Sequence, residues 1–183
     1  MSGYYWFASY PKSGNTWMRL ALWALRHGKP VDFAEFAGWA TVSGLRVTFD
    51  EMLGVESSDL TAAEIETLRP RLFEALARDE LEPMLRKVHE PWVRTPAGEP
   101  LFPPAVTLGA VYIVRDPRDV AVALSHHQGV SVDKAIAFMG SPPLQRRSAQ
   151  QQLDFEWVSW HQHVESWLDA PGIRMLPVAM RIW

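Results

Sequence analysis

The first strongly patterned stretch is an apolar, aromatic run at residues 4–8. It reads as a buried strand that Pro11 cannot prolong as a ladder donor. Lys12, Ser13 and Gly14 follow as a tight turn. Over residues 16–25, apolar Trp17, Leu20, Ala21 and Leu25 recur at helical spacing and predict a helix buried on that stripe. Arg26-His27-Gly28-Lys29-Pro30 stops it with a basic last turn, a glycine and a proline. Residues 31–58 hold no sustained period and contain Gly38, Gly44 and Gly54, which predicts loop with short helices. Thr61 and Glu64 form a capping box, opening a helix to Arg69; there Pro70 either kinks it or starts a second helix to about Arg78.

Residues 85–88 are a candidate short strand, and the Pro- and Gly-rich segment 94–104 is a loop. Residues 109–114 are apolar at successive positions, as in a strand covered on both faces of a parallel sheet. That strand ends at Arg115-Asp116-Pro117-Arg118-Asp119, and helices follow over 117–127 and 131–139. A long helix is predicted over 149–169, with Leu153, Trp157, Trp160, Val164, Trp167 and Leu168 on one face. Residues 174–178 are the last strand. Strands alternating with helices give an α/β fold: one domain over 1–183, a central mostly parallel sheet flanked by helices.

Composition narrows the function more than the fold. Hydrophobic content of 48% over 183 residues supports one packed domain, and a net charge of −3 argues against nucleic acid as a partner. Any positive potential has to be local. The absence of cysteine rules out a disulfide framework and a thiolate metal site. No signal peptide and no run long enough to cross a bilayer are present, so the expected setting is cytoplasmic, without membrane insertion.

The local charge sits at strand ends. A strand, a small-residue turn and a helix N-terminus make an anion site, because backbone N–H groups and the helix dipole both favour negative charge. Lys12 adds an ammonium; Ser13, Asn15 and Thr16 add short donors. The guest expected is a phosphate or sulfate ester. With its lysine ahead of the glycine the loop is not a Walker A motif, and an ordinary turn with a solvated lysine remains the alternative. A second basic turn follows at Arg115. Ligands of open α/β sheets bind beyond the carboxyl ends of strands, so both turns are expected to face one crevice that suits a ligand with two anionic groups. The alternative for Arg115, Asp116 and Asp119 is a local ion-pair and capping cluster. His126-His127 and His161-x-His163 lack the spacing for a shared metal ion, and no metal is expected.

Tyr10-Pro11-Lys12-Ser13-Gly14-Asn15-Thr16-Trp17 resembles the 5′-phosphosulfate loop of sulfotransferases that use 3′-phosphoadenosine 5′-phosphosulfate (PAPS). The segment Tyr112 through Val122 resembles the 3′-phosphate segment of that family, and Lys87-Val88-His89 resembles its Lys-x-His segment. The resemblance implies a P-loop-like nucleotide-binding architecture and sulfuryl transfer to a small-molecule acceptor through a hydroxyl or amine. It implies His89 as base, Lys12 neutralising the leaving phosphate with Lys87 assisting, and a donor site of Lys12, Ser13, Gly14, Asn15, Thr16, Trp17 and Arg115. Trp17 would stack on adenine. Taken from its residues alone, His89 also suits a strand-end histidine bonded to a backbone carbonyl.

Two departures accompany the likeness. Ala123 stands where the family places a phosphate-binding serine, and Ser125 lies about 200° round a helix from it. After Val178 the family continues Arg-Tyr-Glu-Asp-Met, whereas this chain reads Ala179-Met180-Arg181-Ile182-Trp183. A one-base deletion converts a codon run for the first into the second. The expectation is a frameshifted, truncated domain with weak turnover, lacking a closing loop and exposing the face of Trp157 and Trp167. Residues 31–84, with Trp39 and Phe49, would line the acceptor pocket. An ATP-dependent small-molecule kinase and a non-catalytic nucleotide-binding remnant are the other readings.

Overall fold

The computed structural model describes residues 2–37, 44–141, 144–145, 152–153 and 156–181. Strand β1 (Tyr4–Ser9) lies inside a parallel sheet between β2 (Met84–Val88) and β3 (Thr107–Arg115), and β6 (Met175–Met180) pairs with the other side of β3. A two-residue antiparallel pair, β4 (Leu144–Gln145) and β5 (Glu156–Trp157), stands apart. The helices are α1 (Asn15–His27), α2 (Phe33–Ala37), α3 (Arg46–Leu53), α4 (Ala62–Asp79), α5 (Pro117–Gln128), α6 (Val132–Gly140) and α7 (Trp160–Leu168). This is the expected α/β architecture.

Period-two alternation sends Tyr4, Trp6 and Ala8 of β1 and Ala110 and Tyr112 of β3 into one core, with Phe73 of α4, Trp167 of α7 and Phe102. Phe7 and Ile113 on the opposite face are fully buried too, so the central strands are covered on both sides. Tyr10, Leu124, Met139 and Trp157 form a second cluster, and Phe49, Ile65, Leu72 and Leu153 a third. Thr61 and Glu64 make the predicted capping box, and α4 continues through Pro70 as one helix. No helix among the described residues is long and apolar enough to cross a membrane.

Four expectations change. The inner face of α1 carries Asn15, Arg19 and Trp23, while Trp17 is 72% and Leu25 80% exposed. Among the described residues of the predicted helix over 149–169, only α7 is helical. Leu153, Trp157 and Trp167 share no helix face but enter three different clusters, so the apparent 3.6-residue period came from three separate packing demands. Trp157 and Trp167 are buried rather than exposed, and β6 runs on through Ala179 and Met180 in register with Val114 and Arg115. Phe49 is core rather than pocket lining, and Trp39 lies outside the described residues.

Candidate active site

The turn after β1 is held in an unusual backbone state. Lys12 has φ 67°, the one positive value among described non-glycine residues, and Gly14 has φ 101°. A left-handed lysine costs roughly 1–2 kcal/mol, a strain characteristic of ligand loops. The Ser13 N–H closes the turn on the Tyr10 carbonyl at 3.2 Å. Gly14 is the N-cap of α1 and brings no side-chain acceptor, so no cap side chain answers the N–H groups of the first turn. A Cβ on Gly14 would come within 2.6 Å of Met180 Cε, so β6 packs directly on this loop.

The loop's side chains divide into two sets. Asn15 turns inward: its Nδ2 donates to the Phe7 carbonyl at 2.9 Å and to Ser9 Oγ at 3.2 Å, and its Oδ1 accepts from Arg19 Nε at 3.0 Å. It ties the helix start to the strand instead of facing a ligand. Ser13 is buried, with an Oγ that has no hydrogen-bond partner among the described residues. Thr16 and Trp17 face solvent on the first turn of α1.

The register between β1 and β3 sets Ser9 opposite Ile113, which brings Arg115 alongside the first turn. Arg115 Nη1 donates to the Lys12 carbonyl at 3.0 Å, so the two basic turns lie against one another. Arg115 Nε also lies 3.9 Å from Asp119. Asp116 caps α5 by accepting from the Arg118 N–H at 2.9 Å, and its hydrogen bonds with Arg118 hold its carboxyl down at about 2. The local cluster and the contact between the two turns therefore coexist. A cavity of about 470 Å³ opens beside them, lined by Arg115, Asp119, Trp160, Met180 and Arg181 among others. Ser125 spends its hydroxyl on the Val122 carbonyl at 2.8 Å and does not replace the serine absent at Ala123.

His89 follows β2 and meets the end of β1. Its Nδ1 lies 2.8 Å from the Ser9 carbonyl, which can only accept, so Nδ1 carries the proton and Nε2 the lone pair. Nε2 has no partner among the described residues. Burial, reinforced by the Lys87 charge, pushes the imidazole down to about 4, so it is neutral at pH 7. The His89 N–H donates to Glu90 Oε2 at 2.9 Å, and Glu90 is ion-paired with buried Arg69. Burial raises the Glu90 pKa, but the Arg69 charge and hydrogen bonds outweigh it and leave the carboxylate below its usual range. Lys87 is lowered first by burial and then by Arg19 and Lys12, which places three cations in one electrostatic neighbourhood. Lys12 and Lys87 have no ion-pair partner among the described residues.

The arrangement offers an anion loop, a guanidinium at its rim and a neutral imidazole with a free lone pair. It can bind a polyanion and accept a proton beside it. Arg19 is the member that the sequence pattern did not flag. Its signal was a polar residue one turn after Asn15, on what proved to be the inner face of α1.

The family model for the sulfotransferase domain matches residues 4–175. No curated protein sequence matches the chain. Among solved structures, retinol dehydratase in a complex with retinol and PAP is similar at 20% identity and TM-score 0.50, over 95% of this chain and 53% of that one. Retinol dehydratase in complex with androsterone and inactive cofactor PAP is similar at 21% identity and TM-score 0.50, over 96% and 53%. The chain thus spans about half the length of the solved structures it matches. At these identities the likeness speaks for the fold, and the family match, running from the first strand to the start of the last, settles membership: this chain belongs to the sulfotransferase domain family.

Proposed function

We propose that this chain carries the donor-binding and base-bearing part of a sulfotransferase that moves a sulfuryl group from PAPS to a hydroxyl (or amine) of a small-molecule acceptor. The observation that carries this reading is the Arg115 guanidinium seated on the Lys12 carbonyl, which joins two cationic strand ends into one site. The 5′-phosphosulfate sits on the loop of Lys12, Ser13, Gly14 and Thr16. Arg115 takes the 3′-phosphate, and the exposed Trp17 ring stacks on adenine. Asn15 serves this site from behind by holding the loop to β1.

His89 Nε2 removes the acceptor proton as the acceptor oxygen attacks sulfur. The S–O bond to the phosphate breaks, and 3′-phosphoadenosine 5′-phosphate (PAP) leaves with its charge met by Lys12 and Lys87. The chemistry uses these cations and loop amides in place of a metal. Family membership supports the reaction class, and the retinol and androsterone of the similar solved structures support a small-molecule acceptor. Absence of cysteine supports a cytoplasmic setting.

Calorimetric titration with PAP tests the donor site. The expected result is metal-independent binding, weakened about 10- to 100-fold by Lys12→Ala. His89→Ala should retain PAP binding and lose sulfuryl transfer. No binding of PAP, or binding that requires Mg²⁺, would overturn the reading, the latter in favour of a kinase.

A further inference from the structure

Helix α7 reaches the peptide backbone around His89 through side chains on one face. His163 Nε2 lies 3.0 Å from the His89 carbonyl, and Trp167 Nε1 donates to the Glu90 carbonyl at 2.9 Å. Ser166 Oγ accepts from the Trp92 N–H at 3.0 Å while donating to the His163 carbonyl at 2.8 Å. Positions 163, 166 and 167 are neighbours on a helix surface, so α7 presents three polar groups in one row. Pro91 lacks an N–H, and each of the other residues from 89 to 92 has a main-chain group held by α7.

His163 is 2% exposed, and both ring nitrogens are used. A carbonyl can only accept, so Nε2 carries the proton and Nδ1 must accept. The donor to Nδ1 is the buried Tyr112 hydroxyl at 2.9 Å. The other neutral tautomer would set a lone pair against the His89 carbonyl, so the carbonyl selects Nε2–H and the Tyr112 hydroxyl pairs the remaining Nδ1. His89 is thereby tied at three atoms. Its carbonyl is held by His163, its N–H by Glu90 and its Nδ1 by Ser9, which leaves Nε2 as the one ring nitrogen without a partner among the described residues.

We infer that His163 is a positioning residue for His89, holding the carbonyl of residue 89 with its Nε2–H while the Tyr112 hydroxyl satisfies Nδ1. The inference rests on His89 as the base of the proposed reaction. The charged groups around that imidazole are Lys87, Arg19 and Glu90. Those facing His163 are His89 and Glu90.

Nitrogen-detected NMR of the imidazoles in the full chain tests this without turnover. The expected starting state is Nδ1–H for His89 and Nε2–H for His163. Tyr112→Phe removes one oxygen. The His89 carbonyl still selects Nε2–H, so His163 should keep its tautomer and the His89 midpoint should stay near pH 4. His163→Gln, whose amide can still donate to the carbonyl, should keep the His89 midpoint, and His163→Phe should shift it upward. Unchanged His89 signals and midpoint in His163→Phe, or a shifted midpoint in His163→Gln, would overturn the inference, and the second outcome decides where His163→Phe does not fold. PAP titration of the same samples should stay within about twofold of wild type, since His163 meets the loop only through the edge-on Tyr10 ring and, among the described residues, neither side chain hydrogen-bonds to residues 12–17. Failure of the wild-type chain to bind PAP would strike the sulfotransferase reading and leave the tautomer result to stand or fall by itself.

Discussion

The turns after β1 and β3 look alike in sequence, each a strand that runs into a basic residue and then a helix, yet they are built on opposite plans. The first is strained and lacks a side-chain cap, with left-handed backbone at Lys12 and Gly14. The second answers its own helix N-terminus through Asp116, which bonds both the main-chain N–H and the guanidinium of Arg118. Backbone amides are thus on offer at the first turn and already claimed at the second. Anion binding at the second has to come from the Arg115 side chain. A strand–turn–helix is therefore an anion site only where no acidic cap has taken the amides first.

The strongest way to break this contrast is Gly14→Ala. The substitution imposes φ 101° on an L-residue and drives a methyl into Met180. PAP affinity should fall by about 100-fold or more, measured by calorimetry, with stability down roughly 1–3 kcal/mol. Near-normal affinity would mean that the loop amides are not the ligand's partners. Next in size is the coupling of the two turns. Lys12→Ala and Arg115→Ala should each cost about 10- to 100-fold in PAP affinity. The double variant should cost less than their product, because Arg115 also holds the Lys12 carbonyl. Strict additivity would show two independent subsites.

A pH series separates the regions in a different way. His89 and His163, near the first turn, are pushed by burial to about 4 and about 3, below the ordinary histidine value. The unfolded chain therefore binds more protons than the folded one below pH 6.5, and stability should decline as pH falls through that window. The decline is roughly 2 kcal/mol per histidine by pH 5, readable in urea midpoints. Asp116 stays ionised over the same range. The smallest expected effect belongs to Asp116→Ala, which loses a cap for about 1 kcal/mol and should leave PAP affinity intact. A large loss of affinity there would erase the distinction between the turns.

Much of this plan was legible in the chain. The strand at 109–114 and the capping box at Thr61 depend on near neighbours, and both formed as expected. So did the meeting of Lys12 and Arg115, since adjacent parallel strands bring their carboxyl ends together. The reading of α1 failed because apolar spacing alone chose the wrong face. Trp17 and Leu25 stay outside, and the inner face is set by what Asn15 and Arg19 must reach. The stretch over 149–169 misled for a related reason: burial by three separate clusters imitated a helical period. For His89, the carbonyl bond expected from its residues alone is present at Nδ1, and the Nε2 lone pair is what the proposed base role would use. The bond between Tyr112 and His163 was out of reach, since it spans 51 positions and no local pattern links the two.

Trp17 has an optical consequence. Trp6, Trp23, Trp157 and Trp167 are enclosed, whereas the Trp17 indole stands mostly in water at the mouth of the loop. Its red-edge emission and its accessibility to iodide form a reporter already present in the unmodified chain. A nucleotide that covers the ring should blunt the quenching of that component and leave the emission of the enclosed indoles unchanged.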